Sequence, residues 1–377
     1  MASIFSFFTG SGFLDLGFET SGFRTALVNE CHPPFLEAYK HSRKKMNLPE
    51  PQFGYHLGSI EALVGDTQEA IDLYNKVTSL RHNGEITGFV GGPPCPDFSV
   101  GGKNKGRDGE NGKLSRIYVD SIIQHKPDFF LFENVKGLWR TKRHREFYEV
   151  LKCDLKQSGY VLTDHLINCI QYGAPQDRDR ILLFGVRREL VEPFLNDEQL
   201  ESQELPLDLF DWEAEMIYSR DQALSEPEWP DCDHFGEDSI TEMPAGIIKE
   251  LSVQYWFERN KVDSHPNSNA HFIPRAGLPK FLAIQEGDVG KKSYKRLHRW
   301  RYSPTAAYGN NEVHLHPYKA RRISAAEALA IQSLPAEFCL PSDMTLSNMF
   351  KTIGNGVPFL ASQGIARTIT AFLTTIQ

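Results

Sequence analysis

Short apolar runs alternate with helical stretches through the first half of the chain, and no other feature constrains the fold as strongly. The runs that predict strands are residues 3–8, 25–29, 86–90, 128–132, 162–168 and 181–186. The stretches that predict helices lie between them, at residues 13–21, 34–45, 66–82, 114–125 and 143–158. Such an alternation is typical of an α/β fold built on a parallel sheet.

The alternation stops after Arg188. An acidic stretch with weak periodicity follows to about residue 245, and a basic, aromatic segment continues to about residue 318. Ser324 and Glu327 then have the spacing of a capping box at the start of a predicted helix over 323–334, and a last helix is expected over 358–375. A chain of 377 residues exceeds the usual size of one domain. We therefore expect either two domains or one large domain with an insertion.

The composition argues against several classes of protein. A hydrophobic fraction of 40% and a charged fraction of 24% are ordinary for a globular protein, and no apolar run approaches the ~18 residues of a membrane span. The N-terminus lacks the basic region and cleavage site of a secretory signal. The cysteines include no CxxC pair, which argues against a zinc site or a disulfide framework and favours a reducing, cytoplasmic environment. They are residues 31, 95, 153, 169, 232 and 339.

The net charge of −8 is unevenly distributed. Residues 189–242 carry eighteen Asp or Glu and one basic residue, Arg220, a local balance of −17 that leaves +9 on the remainder. Residues 291–301 hold six Lys or Arg and no acid, and residues 136–145 are similarly basic. Phosphates respond to such local fields, although a charge run is more often a solvated helix face. Charge alone leaves both interpretations open.

A glycine turn follows the first predicted strand and precedes a helix. Gly10 and Gly12 let the backbone turn sharply and approach a ligand, and the helix start favours electronegative groups. Glu30 lies near the end of the second strand, where such folds bind ribose hydroxyls. Asp15 occupies the place of the third glycine of a dinucleotide fingerprint, which argues against a nicotinamide cofactor. A turn that merely joins strand to helix stays an alternative.

Two glycines and two prolines follow the strand at 86–90 and present Cys95 at the carboxyl edge of the sheet, where open α/β sheets bind ligands. Most single cysteines are small buried hydrophobes, but Pro-Pro-Cys-Pro at a strand end is not typical of core packing. The long Gly- and Lys-containing loop that follows suits a segment that closes over a substrate.

Polar residues end the later strands as well. Glu133 and Asn134 follow four apolar residues, so the carboxyl group is expected to be desolvated and able to hold or share a proton. Arg178 and Arg180 lie two residues apart at the start of a strand, so both are expected on one face. A helix-capping carboxylate and a surface ion pair are the simpler interpretations of each feature alone.

Taken in order, these motifs resemble those of the C5-cytosine DNA methyltransferases. The likeness covers the chain except for residues 189–300. The motifs are Phe-Thr-Gly-Ser-Gly (8–12), Gly-Gly-Pro-Pro-Cys-Pro (91–96), Glu-Asn-Val (133–135), Gln-Asp-Arg-Asp-Arg (176–180), the segment 321–335, and Gly-Asn-Gly-Val-Pro (354–358). Six matches in the family's order are specific, whereas no single one would be.

The resemblance implies the architecture of the whole chain. It implies a Rossmann-like sheet of the S-adenosylmethionine-dependent methyltransferases with a smaller target recognition domain inserted near the C-terminus. The expected parts are a catalytic and cofactor-binding domain (1–188), the target recognition domain (189–320) and a C-terminal segment that completes the catalytic domain (321–377).

The resemblance also implies covalent catalysis on cytosine. The Cys95 thiolate would attack carbon 6, which makes carbon 5 nucleophilic enough to take a methyl group. Glu133 would contact ring nitrogen 3 and the exocyclic amine. Arg178 would bind the carbonyl oxygen, and Arg180 would support the same edge. The target base must leave the helix stack to reach such a pocket.

S-adenosylmethionine is the cofactor that the resemblance implies. The residues assigned to its site are Phe8, Gly10, Gly12, Glu30, Pro94, Asn355 and Val357. Some positions depart from the family pattern, although none of them is catalytic. Ser6 and Ser59 replace the usual Asp, Phe13 replaces a Gly, and Pro96 replaces a Gln.

For DNA binding, the resemblance points to the basic end of residues 189–320, which suits phosphate and groove contacts. The expected contacts are Lys292, Arg296, Arg299, Arg301 and Thr305. The acidic stretch 189–242 is expected on the outer side, away from DNA. Histidines 298, 314 and 316 lack accompanying ligands, so no metal is expected.

These expectations describe a monomeric, cytoplasmic enzyme that acts on double-stranded DNA, either beside a restriction endonuclease for the same site or alone. A tRNA-modifying methyltransferase shares the motifs, but that branch tends to have a smaller recognition domain. A catalytically silent DNA-binding homologue would lack Cys95, Glu133 or Arg178. A nicotinamide oxidoreductase would leave these motifs unexplained.

Overall fold

The computed structural model describes residues 2–94, 110–274, 276–291, 293–306, 308 and 313–377. The strands are β1 (Ala2–Phe7), β2 (Arg24–Glu30), β3 (Tyr55–Leu57), β4 (Ile86–Gly91), β5 (Phe129–Val135), β6 (Tyr160–Asn168), β7 (Gln176–Asp177), β8 (Asp179–Arg187), β9 (Lys295–Arg296), β10 (Ser303–Pro304) and β11 (His314–Leu315).

The helices of the first half are α1 (Phe13–Glu19), α2 (Pro33–Lys45), α3 (Gln68–His82), α4 (Glu110–His125), α5 (Lys136–Arg140) and α6 (Lys142–Gln157). Those that follow are α7 (Arg188–Val191), α8 (Asp197–Ser202), α9 (Arg220–Leu224), α10 (Val253–Arg259), α11 (Leu278–Leu282), α12 (Ala325–Ile331), α13 (Leu346–Asn355) and α14 (Phe359–Thr375). None of these described helices is both long enough and apolar enough to cross a membrane.

Seven of the described strands form one sheet in the order β3-β2-β1-β4-β5-β8-β6. The pairs from β3 to β5 are parallel, whereas β8 runs antiparallel to both β5 and β6. The prediction of a parallel sheet is therefore wrong for β8. Because residues 169–178 form no crossover α-helix between β6 and β8, the two strands run in opposite directions. The α/β fold class itself is confirmed.

Apolar side chains cover both faces of the sheet. On one face, Phe18 of α1 and Ile365 of α14 pack with strand residues such as Leu131. On the other face, Leu73 of α3 and Leu151 of α6 belong to a second core cluster. The polar ends of β1, β2, β4 and β5 are therefore the part of the sheet that is left to bind a ligand.

The C-terminal helices return to the start of the chain. The predicted capping box is present, with Ser324 and Glu327 each bonding the other's backbone N–H. α14 packs on α1 so closely that a Cβ on Gly17 would lie 2.5 Å from the Ser362 backbone. This packing brings the closing motif at 354–358 to the edge of the sheet where β1 ends.

The first part of the acidic stretch covers the edge of the sheet. Leu162 of β6 donates its N–H to the Gln203 carbonyl at 3.0 Å and accepts from the Leu205 N–H at 2.9 Å. The Trp212 indole donates to the Thr163 hydroxyl at 2.9 Å. An edge strand that is paired in this way is protected from pairing with other chains.

Candidate active site and DNA interface

The turn after β1 contains several residues with left-handed backbone. Phe8, Gly10 and Gly12 have φ of +56°, +56° and +79°. This conformation is unfavourable for a residue with a Cβ such as Phe8, and it persists only where the surroundings hold it. Part of that support is Glu30, whose Oε2 accepts a hydrogen bond of 2.8 Å from the Gly10 N–H.

Glu30 ends β2 and is 6% exposed. Its second oxygen accepts a hydrogen bond of 2.8 Å from the His32 N–H. Each carboxylate oxygen keeps a free lone pair, so the group is still able to accept from the hydroxyls of a ligand. Phe8 packs edge-on against Tyr118 with ring centroids 6.0 Å apart. The turn thus combines an aromatic ring with a carboxylate.

The closing motif lies against the same turn. A Cβ on Gly356 would lie 2.1 Å from the ring of Phe13, the residue that follows Gly12. Asn355 is exposed at the end of α13 and Val357 is buried. The C-terminal segment therefore lies next to the turn, as the resemblance implies.

The Pro-Pro-Cys motif begins beside the Glu-Asn-Val motif. β4 and β5 are neighbours, and a Cβ on Gly92 would lie 2.5 Å from Glu133 Oε2. Pro94 is exposed, and Cys95 lies outside the described residues. Gly92, three residues before Cys95 in the sequence, therefore lies against the Glu133 carboxylate.

Glu133 and Arg180 form a nearly buried ion pair. Arg180 Nε lies 2.5 Å from Glu133 Oε1, and each residue is 8% exposed. The antiparallel register of β5 and β8 places Val135 opposite Arg180. The side chains of Glu133 and Arg180 therefore meet at the same edge of the sheet. A guanidinium beside a carboxylate provides both donors and acceptors, which is the set required by a base edge with a carbonyl and an amine.

Arg178 has different surroundings. It lies between β7 and β8 and is 1% exposed. Its guanidinium donates to the carbonyls of Ala306 at 3.0 Å and Gly354 at 2.9 Å, and burial lowers its pKa to about 9. The expectation that Arg178 and Arg180 share one face assumed a continuous strand. The strand is interrupted at Arg178, and the structure places Arg180, with Glu133, at the site.

Asp179 joins segments that no motif connects. It pairs with Lys136, accepts from Arg220 Nη1 at 2.7 Å and accepts from Asn168 Nδ2 at 2.9 Å. Burial opposes ionisation, but the hydrogen bonds from Arg220 and Lys136 lower the pKa of Asp179. Sequence reasoning missed this bridge. The available signal was Lys136, a cation directly after the Glu-Asn-Val motif.

Comparison with known proteins identifies the chain. Residues 2–371 match the family of C-5 cytosine-specific DNA methylases. The chain belongs to this family. The Type II methyltransferase M.NmeDI of Neisseria meningitidis serogroup C is 60% identical over 370 residues, which are 98% of this chain and 84% of the relative.

Solved structures agree on the fold. A protein encoded within a prophage of E. coli has a TM-score of 0.65 at 19% identity and covers 99% of this chain and 100% of its own. The Dnmt2 methyltransferase of S. pombe has a TM-score of 0.58 at 12% identity and covers 100% of both chains. The family match establishes the activity as DNA cytosine-5 methylation.

In this methylase, the predicted DNA contact Arg296 is an internal residue. It is 0% exposed, and its guanidinium donates to the carbonyls of Phe281, Ile284, His316 and Lys319 at 2.5 to 3.1 Å. Four of its five N–H donors are therefore occupied within the protein. The structure therefore corrects the prediction that Arg296 contacts DNA.

Arg299 requires the same correction. It is 4% exposed, and it makes two hydrogen bonds of 2.8 Å to the buried carboxylate of Glu286. Its remaining donors bind the carbonyl and hydroxyl of Ser239 at 2.5 and 2.8 Å. Four of the five N–H donors of this buried guanidinium are therefore used within the protein.

The other predicted DNA contacts are more accessible or are not described. The Arg301 side chain is 29% exposed. The Thr305 hydroxyl donates to the Asp177 carbonyl at 2.7 Å. This bond ties the end of residues 189–320, here called the variable region, to the Gln-Asp-Arg-Asp-Arg motif. Lys292 lies outside the described residues.

A basic surface borders the Glu133 site on a different element. α5 begins directly after β5, and Arg140, Lys142, Arg143 and Arg145 are exposed on α5 and the first turn of α6. The Arg145 guanidinium lies 4.9 Å from the Trp139 ring centroid. These cations are close enough in the chain to Glu133 to attract phosphates to the site.

The two serines that replace the family's usual Asp, Ser6 and Ser59, each make a hydrogen bond within the protein. Ser6 donates a hydrogen bond of 2.7 Å to Asp15 Oδ1. Asp15 is 1% exposed, and burial raises its pKa to about 6. Ser59 is exposed and caps a short helical turn by accepting from the Glu61 N–H at 3.3 Å. Asp15 is therefore a second buried acid near the turn, in addition to Glu30.

The histidines of the variable region have internal surroundings. His314 and His316 are each 1% exposed, and burial lowers the pKa of His314 to about 3. His298 Nε2 lies 3.0 Å from Asp233 Oδ2. Within the described ranges, no group of three or more His, Cys, Asp or Glu side chains is arranged to hold a metal.

Proposed function

We propose that this methylase takes its methyl group from S-adenosylmethionine and transfers it to carbon 5 of a cytosine that has been flipped out of duplex DNA. The observation that carries the proposal is the convergence of the glycine turn, the start of the Pro-Pro-Cys segment and the Glu133–Arg180 pair at the ends of β1, β4 and β5. A cofactor and a base would have to meet at such an edge.

The residues of the turn fit an adenosylated cofactor. The Thr9 hydroxyl is buried and has no hydrogen-bond partner in the part of the chain that the structure describes. Glu30 offers carboxylate lone pairs, and Phe8 offers an aromatic ring. The residues that hold the cofactor are Phe8, Gly10, Gly12, Glu30, Pro94, Asn355 and Val357. When bound, the cofactor supplies a methyl group on a positively charged sulfur.

The protein activates the base from the other side. The Cys95 thiolate forms a bond to carbon 6, and the ring electrons move towards carbon 5. Glu133 holds ring nitrogen 3 and the exocyclic amine. After carbon 5 has gained the methyl group, a base removes its proton, the double bond re-forms, and the Cys95 thiolate leaves. A free thiol has a pKa of about 8.5, so the thiolate must be stabilised locally.

We assign the contact with the cytosine carbonyl oxygen to Arg180. Arg180 lies beside Glu133 at 2.5 Å, whereas the Arg178 guanidinium binds two backbone carbonyls in the interior. Arg178 then acts as a positioning residue that joins the variable region to the closing motif. Donors aimed at an oxygen that gains charge are the strongest form of electrostatic stabilisation.

Residues 189–320 act as the target recognition domain between the catalytic parts 1–188 and 321–377. Lys292, Arg301 and Thr305 stay candidate DNA contacts, and the exposed cations of α5 and α6 bind phosphates near the site. The enzyme works as a cytoplasmic monomer. The Type II name of the Neisseria relative supports a companion restriction endonuclease for the same site.

The test is transfer of a labelled methyl group from S-adenosylmethionine to unmethylated bacteriophage DNA, with tRNA in a parallel reaction. We expect 5-methylcytosine in DNA alone, no product from Cys95→Ala, and normal product from the control Cys153→Ala, an exposed cysteine of α6. Label in tRNA would move the substrate to RNA. Absence of label from both the DNA and the tRNA would refute the proposal.

A further inference from the structure

The carbonyl side of the cofactor turn is bound by one buried arginine that belongs to no motif. Arg43 lies in the last turn of α2 and is 2% exposed. Its Nη1 donates to the Ser11 carbonyl at 3.0 Å, and its Nη2 donates to the Gly12 carbonyl at 2.6 Å. One guanidinium therefore binds the two successive carbonyls that lead into α1.

The surroundings of Arg43 fix its orientation. Nη2 also lies 3.1 Å from Glu19 Oε2, and the guanidinium carbon lies 3.9 Å from the ring centroid of Tyr39. The Tyr39 hydroxyl in turn donates to Glu19 Oε1 at 3.2 Å. A Cβ on Gly12 would lie 2.5 Å from Arg43 Nη1, so the guanidinium packs directly on the turn.

The last residue of β2 and a residue in the last turn of α2 therefore bind different groups of the turn. Glu30, three residues before the start of α2, binds the Gly10 N–H, and Arg43 near its end binds the carbonyls of Ser11 and Gly12. In a trans peptide unit the N–H and the C=O point in opposite directions. The Ser11 carbonyl shares its peptide unit with the Gly12 N–H, which donates to the Thr9 carbonyl at 2.8 Å. The Gly12 carbonyl shares its peptide unit with the Phe13 N–H, which is therefore directed away from Arg43.

This orientation matters because of what the site is expected to bind. The hydroxyl and carboxylate groups of the cofactor carry negative or partially negative oxygens, which are attracted by amides and repelled by carbonyls. Gly10 and Gly12 adopt left-handed backbone at little cost, so the turn has other conformations open to it, and contacts such as those of Arg43 select this one.

We propose that Arg43 is a positioning residue for S-adenosylmethionine: by binding the Ser11 and Gly12 carbonyls, it keeps the turn in the conformation that accepts the cofactor. This inference rests on the proposed function of the turn. Arg43 is buried and acts through the backbone of the turn.

The test compares Arg43→Met and Arg43→Lys with the wild type. We expect Arg43→Met to raise the Kd for S-adenosylhomocysteine, measured by calorimetry, and the KM for S-adenosylmethionine by at least about tenfold, because a small displacement of a binding element is costly. The kcat at saturating cofactor and the Kd for DNA should stay within about threefold. Arg43→Lys, which is able to bind one carbonyl, should fall between.

The control is Arg24→Met, which removes a half-exposed arginine paired with Glu85 at the opposite end of β2 from Glu30. It should leave both cofactor constants unchanged. Folded Arg43→Met with a Kd for S-adenosylhomocysteine within about twofold of wild type would overturn the inference. If Arg43→Met fails to fold, the same comparison on Arg43→Lys decides. Failure of the wild type itself to bind S-adenosylhomocysteine would instead refute the proposed function of the turn.

Discussion

Replacing Arg178 by methionine separates two roles that its motif alone does not distinguish. The family resemblance places Arg178 against the cytosine carbonyl, where its loss would stop catalysis in a protein of normal stability. The structure places its guanidinium between the carbonyls of Ala306 and Gly354. In that position its loss would first weaken the junction between the variable region and the closing motif.

The expected magnitude follows from these contacts. Each hydrogen bond from a charged donor contributes about 1.5–3 kcal/mol, and a buried carbonyl left without a donor costs about 1–3 kcal/mol. Removal of the charge offsets part of this loss, because burial already disfavours the guanidinium and lowers its pKa to about 9. We therefore expect Arg178→Met to lower the free energy of unfolding by about 2–5 kcal/mol.

The measurement is urea denaturation of Arg178→Met and of Arg24→Met as a matched control. The half-exposed Arg24–Glu85 pair should contribute less than about 1 kcal/mol. Hydrogen exchange should also accelerate at residues 303–306, which lose their anchor. Methylation is then measured at a temperature where both variants are folded.

The refuting result is specific. If Arg178→Met unfolds within about 0.5 kcal/mol of the wild type while its kcat falls by about a hundredfold, Arg178 acts on the base and not on the backbone. Arg180→Met gives the complementary result, because we expect its kcat to fall even at a temperature where the variant is folded.

Four further predictions test the site and its surroundings. Glu133→Gln should lower kcat, measured by methylation kinetics, by about 10²–10⁴-fold, since the carboxyl acts on the base. The Kd for S-adenosylhomocysteine, measured by calorimetry, should stay within about twofold of the wild type. Arg140→Gln should reduce the slope of log Kd for DNA against log salt by about 0.9, the value for one lost phosphate contact, and Lys156→Gln at the other end of α6 should not. Arg299→Met should lower the free energy of unfolding by about 3 kcal/mol, because it strands a buried carboxylate, and should leave the salt slope unchanged; a reduced slope would restore it as a DNA contact. Asp15 has a folded pKa of about 6 against an ordinary 3.8, so the folded state binds more protons between these values, and the wild type should lose about 3 kcal/mol of stability as the pH rises from about 4 to about 6. Asp15→Asn should abolish that dependence in denaturation curves.

The strands of the sheet were predictable because each is an apolar run bounded by polar or glycine residues. The predicted strand at 86–90 corresponds to β4 (Ile86–Gly91), and the one at 181–186 lies within β8 (Asp179–Arg187). Two features were not predictable. β3 is only Tyr55–Leu57, too short for a periodic pattern, and the alternation of side chains carries no information on strand direction, so the antiparallel β8 was missed.

The site was predictable to the level of which strand ends converge. Glu30 contacts the Gly10 amide, and Gly92 lies against Glu133, as motif order implies. The division between Arg178 and Arg180 was not predictable. The different positions of Arg178 and Arg180 depend on the short pairing of β7 with β10, two segments far apart in the chain. The strand is interrupted at Arg178, between β7 and β8.

The buried arginines of the variable region follow from its lack of regular structure. Helices and sheets satisfy their own backbone carbonyls, whereas a loop-rich segment must find donors elsewhere. The five donors of a guanidinium suit this purpose, and Arg296 alone binds four carbonyls. A basic run in such a segment is therefore used partly to hold the segment together. The cations that stay exposed beside Glu133, among them Arg140 and Lys142, must then contribute a larger share of the phosphate contacts than the sequence suggested.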